Sequence, residues 1–154
     1  MTTTTAMTVR VIRRAAVLAV VALWTRDARA QVTVSGSPAQ MTVNTALAGS
    51  TPVAVTDAST SYSTTTPGSG THGITAQLDT AMPAGVTLTV TLAVSGTAAS
   101  PGPVALSTTP QDVVTAIKQK ISSLPITYTL GATLAAGVVP LQTRQVTFTY
   151  VTLP

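Results

Sequence analysis

The chain has 154 residues, 45% of them hydrophobic, with eight Lys or Arg against four Asp or Glu and no cysteine. Five of the basic residues (Arg10, Arg13, Arg14, Arg26 and Arg29) precede residue 31, whereas beyond it Lys118, Lys120 and Arg144 are matched by Asp57, Asp79 and Asp112, for a net charge of zero. The basic excess thus belongs to the N-terminus, which excludes charge-driven binding of nucleic acid or acidic lipid by the remainder, and the lack of cysteine excludes a disulfide scaffold.

Residues 1–30 have the layout of a secretory signal peptide. Arg10, Arg13 and Arg14 supply a basic start, "AAVLAVVALW" an apolar stretch from Ala15 to Trp24, and "ARA" a small-residue cleavage site ending at Ala30. As a helix that apolar stretch spans roughly 15 Å, against about 30 Å for a bilayer core. Cleavage after Ala30, secretion and no membrane insertion afterwards are the expectations. Residues 31–38 then form an N-terminal strand or extension, and residues 39–154 one domain with a single core.

Period-two alternation dominates from Gln31 onward, and in a strand that period sends side chains to opposite faces. Val32 and Val34 share one side of "QVTV", and Met41, Val43 and Leu47 one side of "QMTVNTAL". "TPVAVT" offers Val53 and Val55, and "SYSTTT" reads as a polar strand around Tyr62. Ile74, Ala76 and Leu78 point one way, as do Val86, Leu88, Val90, Leu92 and Val94. Val104 goes with Leu106, Ile126 with Tyr128 and Leu130, and Val146 with Phe148 and Tyr150. Gly- and Pro-rich breaks separate these runs, and "LDTAMPAGVTL" reads as a hairpin with Gly85 at positive φ. The fold class is all-β, an Ig-like antiparallel β-sandwich with one wet face per sheet.

One segment is ambiguous. In "TPQDVVTAIKQKI", Thr109 could cap a short helix near residues 110–121, with Pro110 at its first position and Val113, Ala116, Ile117 and Ile121 on one face. The competing reading is a strand with Val113, Thr115 and Ile117 on one side. Elsewhere Thr87, Thr89, Thr91, Thr127, Thr129, Thr147 and Thr149 fall opposite the apolar positions. Threonine is β-branched and hydroxylated, so it suits the wet side of a sheet. It also leaves edges without the lysine and proline that usually deter pairing.

Chemistry is sparse. "GSGTHG" (Gly68 to Gly73) matches a dinucleotide-binding pattern in letters, but a strand-like run follows it where a helix is required, so it reads as a loop. His72, the single histidine, is expected to be exposed in that loop. One histidine and three scattered aspartates neither supply a zinc site nor converge as paired catalytic carboxylates. No catalytic residue, metal ligand, cofactor or small-molecule ligand is indicated.

The order of a signal peptide, "QVTVSG…MTVNTA", a polar strand, "ITAQLDTAMPAGVTLTVTL", "ITYTLGATLAAG" and a last strand "RQVTFTYV" resembles the small exported Ig-like subunits of bacterial pili and coats, the spore-coat-U-like and fimbrial groups. The resemblance implies a structural subunit of an extracellular fibre, pilus or coat that self-associates by β-strand addition into a homopolymer, and it leaves room for an export chaperone. Val32, Val34, Met41, Val43 and Leu47 are the candidate donor-strand residues, with Val32 and Val34 favoured because Gly36 and Pro38 would let them swing away. The alternative is a monomeric secreted or periplasmic module that binds carbohydrate or protein.

Overall fold

The computed structural model describes residues 32–45, 50–65 and 69–154. The signal-like segment 1–30 and Leu47 lie outside the described residues. Among the described residues eight strands run in chain order: β1 (Val32–Ser35), β2 (Val55–Thr64), β3 (Thr71–Leu78), β4 (Val86–Leu92), β5 (Val104–Ala105), β6 (Gln111–Ile117), β7 (Leu124–Ala132) and β8 (Val146–Leu153). They form a five-stranded sheet of order β1-β2-β7-β4-β5 and a three-stranded sheet of order β6-β3-β8. All pairings are antiparallel. The result is an all-β, Ig-like antiparallel sandwich.

The alternation that defines the strands also defines the core. Ile74, Ala76 and Leu78 of β3, Leu88, Val90 and Leu92 of β4, and Ile126 and Tyr128 of β7 belong to one buried cluster. Each fully buried Val, Leu or Ile side chain contributes roughly 1.5–3 kcal/mol by leaving water. None of the seven wet-side threonines is buried; Thr87, Thr147 and Thr149 are exposed and the others half-buried. In the middle of the large sheet Thr89 pairs with Thr129 and Thr91 with Thr127, so hydroxyls line up across β4 and β7.

The segment 110–121 contains a strand in place of the expected short helix. β6 pairs with β3, and its register shifts on both sides of the Ile74–Val114 pair. The shifts let Val113, Val114 and Ile117 all become buried, which imitates helical spacing. Ala116 takes up part of the distortion at φ 55°. Two forces favour the strand: the β-branched run Val113-Val114-Thr115, and the need of β3 for backbone partners on both sides. A 3₁₀ turn, Leu134–Ala136, is the one helical element among the described residues.

The stretch expected as a hairpin crosses between sheets instead. β3 ends at Leu78 in the small sheet and β4 begins at Val86 in the large one. The turn chemistry is as expected: Val86 N–H donates to the Pro83 carbonyl (3.0 Å) and Gly85 has φ 77°. A tight turn fixes the change of direction but not the sheet the chain enters. Asp79 pins this crossing by accepting from the backbone N–H of Thr80 (2.8 Å) and Gln145 (3.0 Å).

Two further expectations are corrected. Val55 and Thr56 of "TPVAVT" and Ser61 to Thr64 of "SYSTTT" belong to the single ten-residue strand β2, while Val53 precedes it and is exposed. Met41 and Val43 lie in irregular chain rather than in a strand, both half-buried.

Candidate assembly surface

The first candidate donor stretch is β1. Among the described residues it pairs only with β2, in the register Val32↔Thr64, Thr33↔Ser63, Val34↔Tyr62 and Ser35↔Ser61. Val32 is half-buried against the core, whereas Val34 remains 40% exposed. Partial burial of one valine holds the strand by about 1 kcal/mol of hydrophobic free energy, well short of a core strand. Gly36 follows at φ 86°, a conformation that favours glycine.

Past Pro38 the chain is tied down again. The Ala39 N–H donates to Asp57 Oδ2 (3.4 Å), while Asp57 Oδ1 accepts from the Ser59 hydroxyl (2.7 Å) and the Ser59 N–H (3.1 Å). The Ser59 hydroxyl, followed by its backbone N–H, holds the Asp57 carboxyl below the usual carboxylate range. This knot sits where β2 and β7 shift register, between Asp57 and Thr60.

Met41 and Val43 line an open cleft of about 700 Å³ together with Leu88, Tyr128, Leu130 and Val146. Among the described residues, Arg144 is the one charged group in its wall. The guanidinium is held by the carbonyls of Ala81 (3.2 Å) and Thr143 (2.9 Å) and by the Gln142 side-chain oxygen. No described histidine or acid lines the cleft, so its walls offer packing, the amides and hydroxyls of Gln40, Thr42, Gln142 and Thr143, and one cation. Leu134, Val138 and Leu141 on the neighbouring segment are more than 60% exposed.

The sheet edges are unevenly guarded. β5 is two residues long. β6 is bridged by Ala99, which exchanges backbone hydrogen bonds with Thr115 at 2.8 and 2.9 Å. β8 runs for eight residues, "VTFTYVTL", with no charge and no proline, and among the described residues it pairs only with β3.

His72 and Tyr62 depart from expectation. His72 is in β3, only 8% exposed, with its ring stacked on Tyr150 at a centroid distance of 5.0 Å and Nδ1 3.4 Å from the Thr152 hydroxyl. Even parity with Ile74 puts it on the core side, and Thr71 to Gly73 are strand rather than loop. Tyr62 is 1% exposed in spite of its polar neighbours, and its hydroxyl donates to the Ala93 carbonyl at 2.6 Å. Burial pushes its phenol up to about 12. A lone aromatic at even spacing from Thr60 and Thr64, both also buried, was the available signal for an inward face of β2.

Among the described residues no three of His, Cys, Asp and Glu come together as a metal site, and no helix is long and apolar enough to cross a membrane. No protein-family model matches the chain, and no curated protein or solved structure shows significant similarity to it.

Proposed function

We propose that the protein is a secreted structural subunit of an extracellular fibre, pilus or coat, assembled by exchange of its first strand. The supporting observation is the construction of β1: four residues, one strand partner and a positive-φ glycine directly after it. Beyond that glycine, the Asp57 knot keeps Ala39 attached to the domain. Swinging β1 out about Gly36 to Pro38 lets it occupy the same register on the β2 of the next copy. The same backbone hydrogen bonds and the same valine packing form on either copy, so exchange costs little enthalpy. A head-to-tail exchange of this kind grows as a filament where the rotation between successive copies does not close a ring. Main-chain hydrogen bonds supply the joint, with Val32 and Val34 as its apolar contacts. Cleavage after Ala30 would leave this strand at the free N-terminus.

The test deletes Gln31 to Pro38 from the full chain and compares light scattering and negative-stain images with the intact protein released by the producing cells. Filaments from the intact chain and their loss on deletion are expected. A stable monomer at high concentration, with a deletion that only lowers the melting temperature, would overturn the fibre reading and leave a monomeric binding module built around the cleft.

A further inference from the structure

We infer that the free edge of β8 pairs with β8 of a second copy, antiparallel, about a two-fold axis through Thr149. This contact is distinct from the exchange of β1, since it uses the other sheet and no part of the β1–β2 register, although β1 also packs close to β8.

Several observations lead to it. An unpaired strand edge presents a row of N–H and C=O groups that another strand can meet, and proteins usually guard such rows with lysine, proline, brevity or cover. Among the described residues β8 is eight residues long, uncharged, free of proline and hydrogen-bonded to a strand on one side only. The other three edges differ: β1 and β5 are short, and β6 is bridged by Ala99. Its inward side chains Val146, Phe148 and Tyr150 are only half-buried, although they pack against the core.

Symmetry then narrows the register, and aromatic pairing selects within it. A two-fold axis perpendicular to the sheet keeps each face on its own side. Residues opposite one another must therefore have the same parity, and the axis must fall on a residue. With the axis on Thr149, Phe148 of each copy comes opposite Tyr150 of the other, so two aromatic cross-strand pairs form on the inner face. On the outer face Thr149 meets Thr149, and Thr147 meets Val151. No charges meet anywhere along the strand, so nothing repels the partner. The two small sheets become one six-stranded sheet, and the aromatic pairs add cover to the half-buried Phe148 and Tyr150.

The contact is modest in size. Each aromatic side chain buries at most about 150–250 Å², and these four are already half covered. The aromatic area gained falls well below the roughly 1,200–2,000 Å² of stable complexes. Pairing is thus weak between free subunits and effective between subunits already aligned in neighbouring filaments, where the effective concentration is high.

Single cysteines test this against a clean background, since the chain contains none. Thr149→Cys and Thr147→Cys both alter exposed positions on the wet face of β8, and circular dichroism checks that both remain folded. In the symmetric pair, cysteines at 149 face each other with Cβ atoms about 4.5–5.5 Å apart. Cysteines at 147 are four positions out of register, about 14 Å apart. Under mild oxidation of the full chain at high concentration, Thr149→Cys should form disulfide dimers at least ten-fold faster than Thr147→Cys. The same advantage should persist when Gln31 to Pro38 are deleted. Equal rates at the two positions would overturn the inference. So would loss, on deletion, of the preference for Thr149→Cys over Thr147→Cys; a slower rate at both positions is expected once filaments no longer align the subunits. Filament loss on deletion with cross-linking retained would support both contacts, and cross-linking without filaments would support β8 pairing alone.

Discussion

β3 and β8 are eight-residue strands paired over all eight positions, yet they are covered very differently. On β3, Ile74, Ala76 and Leu78 are at most 2% exposed. On β8, the larger Val146, Phe148 and Tyr150 are only half-buried. Hydrophobicity alone would rank the two strands the other way. Place in the sheet decides instead: β3 is flanked by β6 and β8, and β8 has a neighbour on one side only among the described residues. A residue's burial thus depends on how many strands lie beyond it as much as on its own surface.

Truncation of the central strand should do the most damage. Ile74→Ala, at a position with no exposure, should cost about 2–5 kcal/mol in denaturant-unfolding measurements, through lost burial and the cavity left behind. Phe148→Ala removes more atoms, and in a filled core would cost about 3–5 kcal/mol. With the side chain half-exposed, about 1.5–2.5 kcal/mol is expected in dilute solution. A Phe148 cost equal to or above that of Ile74 would break the comparison, because it would mean that β8 is already covered. A cost that rises with protein concentration would sharpen it.

Tyr62→Phe removes the hydrogen bond to the Ala93 carbonyl and should cost about 0.5–1.5 kcal/mol at neutral pH. It should also flatten the alkaline limb of the stability curve. The unfolded phenol ionises near 10, whereas burial holds the folded one to about 12. Stability from this group is complete below pH 10 and is lost as pH rises through 12, because the unfolded chain releases the proton first. Burial also raises Tyr128 and Tyr150, so part of the alkaline loss should persist in the variant. Thr89→Ser, on the wet side of β4, should stay within about 0.5 kcal/mol, since only some strand propensity is lost. If that threonine proved more damaging than Ile74, the inward and outward faces of β4 would have to be exchanged.

The alternating runs were legible because a sandwich with one wet face per sheet writes its core in period two. Ile74 to Leu78, Leu88 to Leu92 and Ile126 to Tyr128 are all buried at every second position. The pattern stops being informative where the backbone does not keep the period. The two register shifts in β6 place Val113, Val114 and Ile117 inward together, and an i, i+4 spacing then looks helical. Pairing partners were not legible either, since "MPAG" turns the chain equally well within a sheet or between sheets. Tyr62 and His72 were obscured by their serine, threonine and glycine neighbours, which resemble loop composition. For the candidate assembly surface, Val32 and Val34 were visible as strand residues. Their weak hold on the domain, and the bare edge of β8, follow from strand order, and strand order is set by contacts between distant parts of the chain.

That same distance has a consequence for the birth of the molecule. His72 and Thr152 are 80 positions apart and adjacent in the small sheet. At about 5–20 residues per second, synthesis needs about 4–16 s to travel from one to the other. Throughout that interval β3 has no β8 to pair with, and the small sheet lacks its last strand. Completion of the small sheet therefore has to wait for β8, and a pairing this remote along the chain is slow to close even then. For several seconds after β3 has been made, its edge toward β8 stays without its native partner.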